Sequence, residues 1–228
     1  MTPHPQACAG VSKSGQHWLD TYPVHLSRSW TLASGKVLLL RPMRHDDGER
    51  EETFVRGLSW ESGYQRMLGA IKITPEWIER MTHIDYRRHM AFAVTTVKDG
   101  GEQFVGVGRY VVDAATGNAE VALVIADAWH GKGLGRRMLE LLLQHARDAG
   151  VREAEGVVLA TNRPMLRLAG SVGFSLKADP EDPRSCACDE SSTTRTANPI
   201  ECRRLRCQRE MSSWLIPFEP RSGRSMAP

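Results

Sequence analysis

Long apolar runs are missing from this chain of 228 residues. The longest, Val121–Ile125 and Leu139–Leu143, fall far short of the ~20 residues a membrane span requires, so no membrane partner is expected. Excess charge of one sign is missing too: 30 Lys+Arg against 27 Asp+Glu leave a formal net charge of +3. A nucleic-acid partner calls for a basic footprint that is large and clustered, and none is expected here. The N-terminus lacks a basic stretch followed by an apolar one, which argues against a secretory signal and for a cytoplasmic location. Cysteine is sparse and odd in number: Cys8, Cys186, Cys188, Cys202 and Cys207. The last four space as C-x-C…C-x4-C, unlike the C-x2-C pairs of structural zinc sites, and are read as free thiols with no metal. His83-x-Asp85-x3-His89 lacks a third ligand on one element and is read as exposed loop.

What the chain does hold is 41% hydrophobic residues and 20 glycines, enough for a core and too much for global disorder. Residues 1–30 are read as an irregular leader, 31–182 as one domain, and 183–228 as a poorly defined, cysteine-containing tail. Within the domain, Lys36–Arg41 before Pro42 fits a strand. Asp46 and Asp47 signal a helix start, and Thr74-Pro75 does so again, with Trp77, Ile78 and Met81 on one face. Trp60, Tyr64 and Trp77 are read as core between these early helices. Met90–Val97 and Gln103–Val112 are β-rich runs around Lys98-Asp99-Gly100-Gly101, a hairpin signal, with Glu102 read as solvent-exposed. Ala119–Ile125 is a further strand. From Leu134 to Ala149, the positions Leu134, Met138, Leu141, Leu142 and His145 form an apolar helical stripe, closed by Gly150. Val157–Ala160 is read as a buried strand, and Asn162-Arg163-Pro164 as the cap of a short helix.

The most informative stretch joins the Ala119–Ile125 strand to the long helix: Trp129-His130-Gly131-Lys132-Gly133-Leu134-Gly135-Arg136-Arg137. Glycines let the backbone turn tightly and let a ligand reach its N–H groups. The first N–H groups of a helix have no internal partner and carry the positive end of the dipole. Together they make a cradle suited to phosphate, with Lys132, Arg136 and Arg137 adding charge. A P-loop would need an earlier Gly and a Ser/Thr after Lys132. A dinucleotide fingerprint would need its third Gly one place later than Gly135.

That stretch resembles the acetyl-CoA-binding motif of the GNAT N-acetyltransferase superfamily, [QR]-x-x-G-x-[GA], with His130 at the first position. Asn162 before a short helix, and Gly173-Phe174 after it, resemble the superfamily's second cofactor-side motif. The chain is similar in particular to bacterial Pat-type protein lysine acetyltransferases, through Leu40-Arg41-Pro42-Met43-Arg44, Asp46-Asp47, Phe54–Ser59, Glu61-Ser62, Ala119–Ala122 and Asn162–Ala169. The resemblance implies an α/β fold with a central mixed, mostly antiparallel sheet flanked by helices. It further implies acetyl transfer from acetyl-CoA to a primary amine, with protein lysine side chains as the acceptor class. Val124 and Ile125 would face the pantetheine and the carbonyl. His130, Gly131, Lys132, Gly133, Leu134, Gly135 and Arg136 would hold the pyrophosphate, and Asn162 the pantetheine side. The family's catalytic glutamate maps to Glu120, and its early helices border the acceptor groove. Many relatives carry a large additional domain, for which the leader is too short.

The chemistry can also be argued from the residues. A lysine ammonium with pKa ~10.4 must lose a proton before attack, at roughly 4–5 kcal/mol at pH 7. Glu120 is followed by apolar Val121, Ala122, Leu123 and Val124, which should desolvate its carboxylate, raise its pKa and suit it to act as base. Many superfamily members protonate the departing thiolate with a Tyr of the short helix. Ala169 occupies that place, and no Tyr follows Tyr110. A thiol with pKa ~8.5 leaves readily without such help. Two other readings share the scaffold: acetylation of a small-molecule amine, and a non-catalytic coenzyme A sensor.

Overall fold

A computed structural model describes residues 22–68 and 72–177. Six strands form one sheet in chain order: β1 (Arg28–Thr31), β2 (Val37–Pro42), β3 (His89–Lys98), β4 (Gly101–Val112), β5 (Ala119–Ile125) and β6 (Ala154–Glu155). Every neighbouring pair is antiparallel except β5–β6, which is parallel. The expected mixed, mostly antiparallel sheet flanked by helices is therefore what the chain forms. The β3–β4 connection turns through Asp99 and Gly100, both at positive φ (50° and 76°), the conformation a tight hairpin of this hand needs.

Helices α1 (Gly48–Arg56), α2 (Trp60–Met67) and α3 (Pro75–Thr82) precede the central hairpin. Phe54 of α1 joins Met43, Ile84, Ala91, Ala93, Phe104, Val107 and Val124 in a small core on one face of the sheet. Thr74 caps α3 as its sequence promises, its Oγ1 accepting the Trp77 N–H at 3.2 Å. The opposite face carries the larger core, built on α4 (Leu134–Asp148) and α5 (Arg163–Ser171). Leu134, Met138, Leu139, Leu142, Leu143 and Ala146 of α4 are buried there, each large side chain stabilising by roughly 1.5–3 kcal/mol. Gly108 lets α4 lie close on β4: a Cβ there would stand 2.7 Å from Met138 Cγ and 2.8 Å from Leu142 Cδ1. No described helix is long and apolar enough to cross a membrane.

Several expectations change in the structure. Strand β1 begins at Arg28, inside the stretch read as irregular leader, because a turn ending at Gly35 folds it back on β2. The strand expected at Val157–Ala160 lies upstream and is only two residues long. Residues 156–158 instead line a cavity, and a short apolar run alone cannot distinguish the two. Trp60 is 80% exposed while Trp77 is buried, so only the latter is core. Glu102 is only partly exposed, its side chain 22% accessible. Its carboxylate receives Arg41 Nε and Nη2, each at 2.9 Å, while Arg41 also donates to Asp47 at 2.6 and 2.7 Å. The Arg41 hydrogen bonds overcome desolvation and pull the Glu102 carboxyl down to about 2.

The His83/Asp85/His89 group divides. Asp85 Oδ1 accepts the N–H groups of Arg87, Arg88 and His89, each at 2.9 Å, while His89 opens β3 and is partly buried. Burial and the Arg109 guanidinium push its imidazole down to about 3. Among the described residues no group of three or more His, Cys, Asp or Glu gathers as for a metal. All five cysteines lie outside those residues.

Candidate active site

The β5 strand organises the site. Ala119 N–H reaches Glu153 O and Ala126 N–H reaches Val105 O, both at 2.9 Å. These two bonds set the alternation: odd residues of β5 turn their main-chain groups to its outer edge, even residues toward β4. Pairing on the outer edge stops after Glu120↔Glu155. Beyond it, Leu123 presents its N–H and C=O, and Ile125 its N–H, to an open edge, while the Ile125 carbonyl accepts from His130. A cavity of about 630 Å³ opens there, lined among others by 121–125, 133–136, 156–158 and Asn162. Ile125 and Val124 both line the cavity; by the alternation the main chain of Val124 faces β4, and Leu123 shares the outer edge with Ile125.

At the Ile125 end the chain turns into α4 through Gly131 and Gly133, at φ 71° and 78°. A side chain would be strained at either angle. Gly133 is the N-cap of α4 and offers no side-chain cap, and the first turn carries no acidic residue. Arg136 and Arg137 sit in that turn instead, against the helix dipole, an arrangement an anion would relieve. His130 Nε2 donates to Ile125 O at 2.7 Å. His130, Gly131, Gly133, Leu134, Gly135 and Arg136 all line the cavity. Lys132 does not line it: its ammonium donates to Ala128 O at 2.6 Å and lies 5.7 Å from the Trp129 ring. Arg136 pairs with Glu140 at 2.8 Å on an exposed surface. Asn162 lines the opposite wall and caps α5, its Oδ1 accepting the Met165 N–H at 3.1 Å.

The other end of β5 is built from ionisable side chains. Glu120 is half-buried, and desolvation, reinforced by Glu155 and Asp113 and opposed by Arg66, raises its carboxyl to about 7. Glu120 is not itself among the cavity-lining residues, whereas Arg66 of α2 and Ala122, the next residue on the same face of β5, are. Behind them Arg109 of β4 pairs with Glu51 of α1 at 3.1 Å, both buried. Glu51 Oε2 and Arg109 Nε lack hydrogen-bond partners. Burial pushes the Glu51 carboxyl up against the pull of Arg109.

A family model described as an acetyltransferase (GNAT) domain matches residues 38–175, which span both ends of this cavity. The chain belongs to the GNAT acetyltransferase family. It is 34% identical over 178 residues to an acetyltransferase of Pseudomonas aeruginosa, covering 78% of this chain and 90% of that protein. It is 27% identical over 141 residues to the acetyltransferase Pat of Mycolicibacterium smegmatis, covering 61% of this chain and 42% of that longer protein. The crystal structure of the GNAT domain of S. lividans PAT superposes with a TM-score of 0.63 at 28% identity, covering 72% of this chain and 95% of that one. This GNAT acetyltransferase accordingly resembles the Pat type.

Two features of this GNAT domain escaped the sequence reading. Asp127 accepts hydrogen bonds from Ser59 N–H at 3.1 Å, Ser59 Oγ at 2.8 Å and Ser62 Oγ at 2.8 Å. Arg66 lines the cavity within electrostatic reach of Glu120. The available signal was Ser59 with Ser62, an N-cap pair for α2. Nothing local marked Asp127 as their partner.

Proposed function

We propose that this GNAT acetyltransferase moves an acetyl group from acetyl-CoA to a primary amine by direct attack, with lysine side chains of proteins as the acceptor class. One observation carries the reading: an unpaired strand edge runs from a half-buried carboxylate at Glu120 to an uncapped, glycine-lined helix start at α4. The groups present fit such a thioester co-substrate. The amides from Gly131 to Arg136 suit a pyrophosphate, with His130 beside them and Lys132 adding charge from outside the cavity. The edge N–H and C=O of Leu123 and the N–H of Ile125 suit the amides of a pantetheine arm, with Val124 and Asn162 against its sides. The active domain is read as beginning with β1 at Arg28, ahead of the expected boundary at residue 31, and as working in the cytoplasm.

In the reaction the amine nitrogen attacks the thioester carbonyl carbon and a C–N bond forms. Glu120 takes the nitrogen's proton, directly or through one water. The tetrahedral intermediate then collapses with cleavage of the C–S bond, and the thiolate departs unassisted, since Ala169 offers no acid. A carboxyl near 7 is matched to this task, because a base works best with its pKa close to the operating pH. Similarity to proteins named Pat, together with the motif likeness, supports protein lysine over a small amine.

Replacing Glu120→Gln tests the base. Turnover at pH 7 should fall by about 10²–10⁴-fold, while calorimetric affinity for acetyl-CoA stays unchanged. Unchanged turnover removes Glu120 from the mechanism. A panel of lysine peptides against polyamines tests the acceptor class, and preference for the polyamines would favour the small-molecule reading.

A further inference from the structure

We infer that Asp127 is a positioning residue whose carboxylate latches α2, the acceptor-side wall of the cavity, to the turn that leads into α4. The inference rests on the reading above, in which the acceptor approaches along α2 and acetyl-CoA occupies the turn.

The argument begins with what α2 lacks. Phe54 anchors α1 and Trp77 and Ile78 anchor α3 through burial. In α2 the only buried side chain is Ser62, and Trp60 at the helix start is 80% exposed. So short a helix is marginal without tertiary support, and no apolar side chain of α2 is fully buried to supply it. Polar contacts take its place. Ser59, the N-cap, accepts the Ser62 N–H on its Oγ at 3.1 Å and donates that hydroxyl to Asp127. The Ser62 hydroxyl and the Ser59 main chain complete the grip on one carboxylate. A negative charge at a helix N-terminus is itself favourable.

Asp127 opens the 3-10 turn Asp127–Trp129, which follows β5 and precedes His130. The residues it holds are those that line the cavity from α2: Ser62 directly, and Glu61, Gln65 and Arg66 through the helix. The acceptor wall is thus tied to the cofactor turn. Although desolvation acts upward, the hydrogen bonds from Ser62 and Ser59 hold the Asp127 carboxyl down to about 2. The latch therefore stays ionised throughout the range in which an amine is acetylated.

The test uses the full chain with Asp127→Ala, Ser62→Ala, the double variant and Ser62→Thr. The probes are acetyl-CoA and the lysine peptide that turns over best in the panel. Asp127→Ala, which removes all three hydrogen bonds, should raise the KM for peptide about tenfold, and Ser62→Ala, which leaves the two from Ser59, should raise it less. The double variant should be no worse than Asp127→Ala, since that change already breaks the latch. Ser62→Thr should restore the KM, and calorimetric affinity for acetyl-CoA should stay within about threefold. Hydrogen exchange gives a readout that needs no activity: amides of α2 should exchange at least tenfold faster in Asp127→Ala, with α1 and α3 unchanged. An unchanged peptide KM, additive losses, or unaltered exchange in α2 overturns the latch. A wild-type chain that binds no acetyl-CoA overturns the proposed function instead, and the exchange measurement then decides the latch alone.

Discussion

The two ends of β5 manage charge by different means. At Ile125 the groups that would meet an anion are mainly main-chain N–H donors of an uncapped helix, shaped by Gly131 and Gly133. At Glu120 they are side chains, with Glu155, Arg66 and Asp113 all bearing on one carboxyl. Main-chain donors do not titrate and side chains do. In the proposed reaction, binding of the acyl donor and chemistry on the acceptor should therefore respond differently to pH, though a single strand of seven residues would carry both.

The largest effect on binding is expected from Gly133→Val, which puts a β-branched residue at φ 78°. Affinity for acetyl-CoA, measured by calorimetry, should fall up to about 100-fold, the upper end of a 1–3 kcal/mol backbone strain. Unchanged affinity would break the contrast at its binding end. Next comes the pH profile. Only ionised Glu120 accepts a proton, and its carboxyl titrates at about 7, so kcat/KM should drop about tenfold per pH unit below that value. The dissociation constant for acetyl-CoA should stay flat over the same range; a parallel slope would erase the distinction.

Glu155→Gln sharpens the comparison further. Desolvation is the main cause of the raised Glu120 carboxyl and Glu155 the second, so removing that charge should move the acid limb of kcat/KM to lower pH with the plateau retained. A limb that stays put would leave desolvation as the whole cause. The smallest effect on binding is expected from Asn162→Ala. Its Oδ1 already caps α5, so acetyl-CoA affinity should change less than tenfold. Loss of the cap should cost about 0.5–2 kcal/mol of stability, read as a drop in Tm of roughly 2–4 °C per kcal/mol.

The elements on which these predictions stand were legible in the sequence to unequal degrees. Strand β5, the β3–β4 hairpin and α4 follow from local signals: alternation, an Asp-Gly turn, and an apolar stripe between glycines. The anion turn is equally local, since all its glycines fall within a few residues. What escaped was pairing across long separations. Glu51 and Arg109 meet across 58 positions, and Asp127 and Ser59 across 68, and no periodicity encodes such partners. Glu102 was misread for the same reason, because its burial depends on Arg41 from another strand. Strand β6 was misplaced because two residues are too few to show a period.

Gly108 carries a last consequence. With no side chain on that residue, α4 rests almost directly on the floor of the sheet, and the height of the helix above β4 is set by Met138 and Leu142. A single added methyl, more than twenty positions upstream of the glycine turn and on the far side of the helix from solvent, would act as a shim. It would lift the helix and tilt the phosphate cradle at its tip while altering none of the groups expected to touch the ligand. A change at this hidden residue should therefore weaken the proposed grip on coenzyme A as well as the fold.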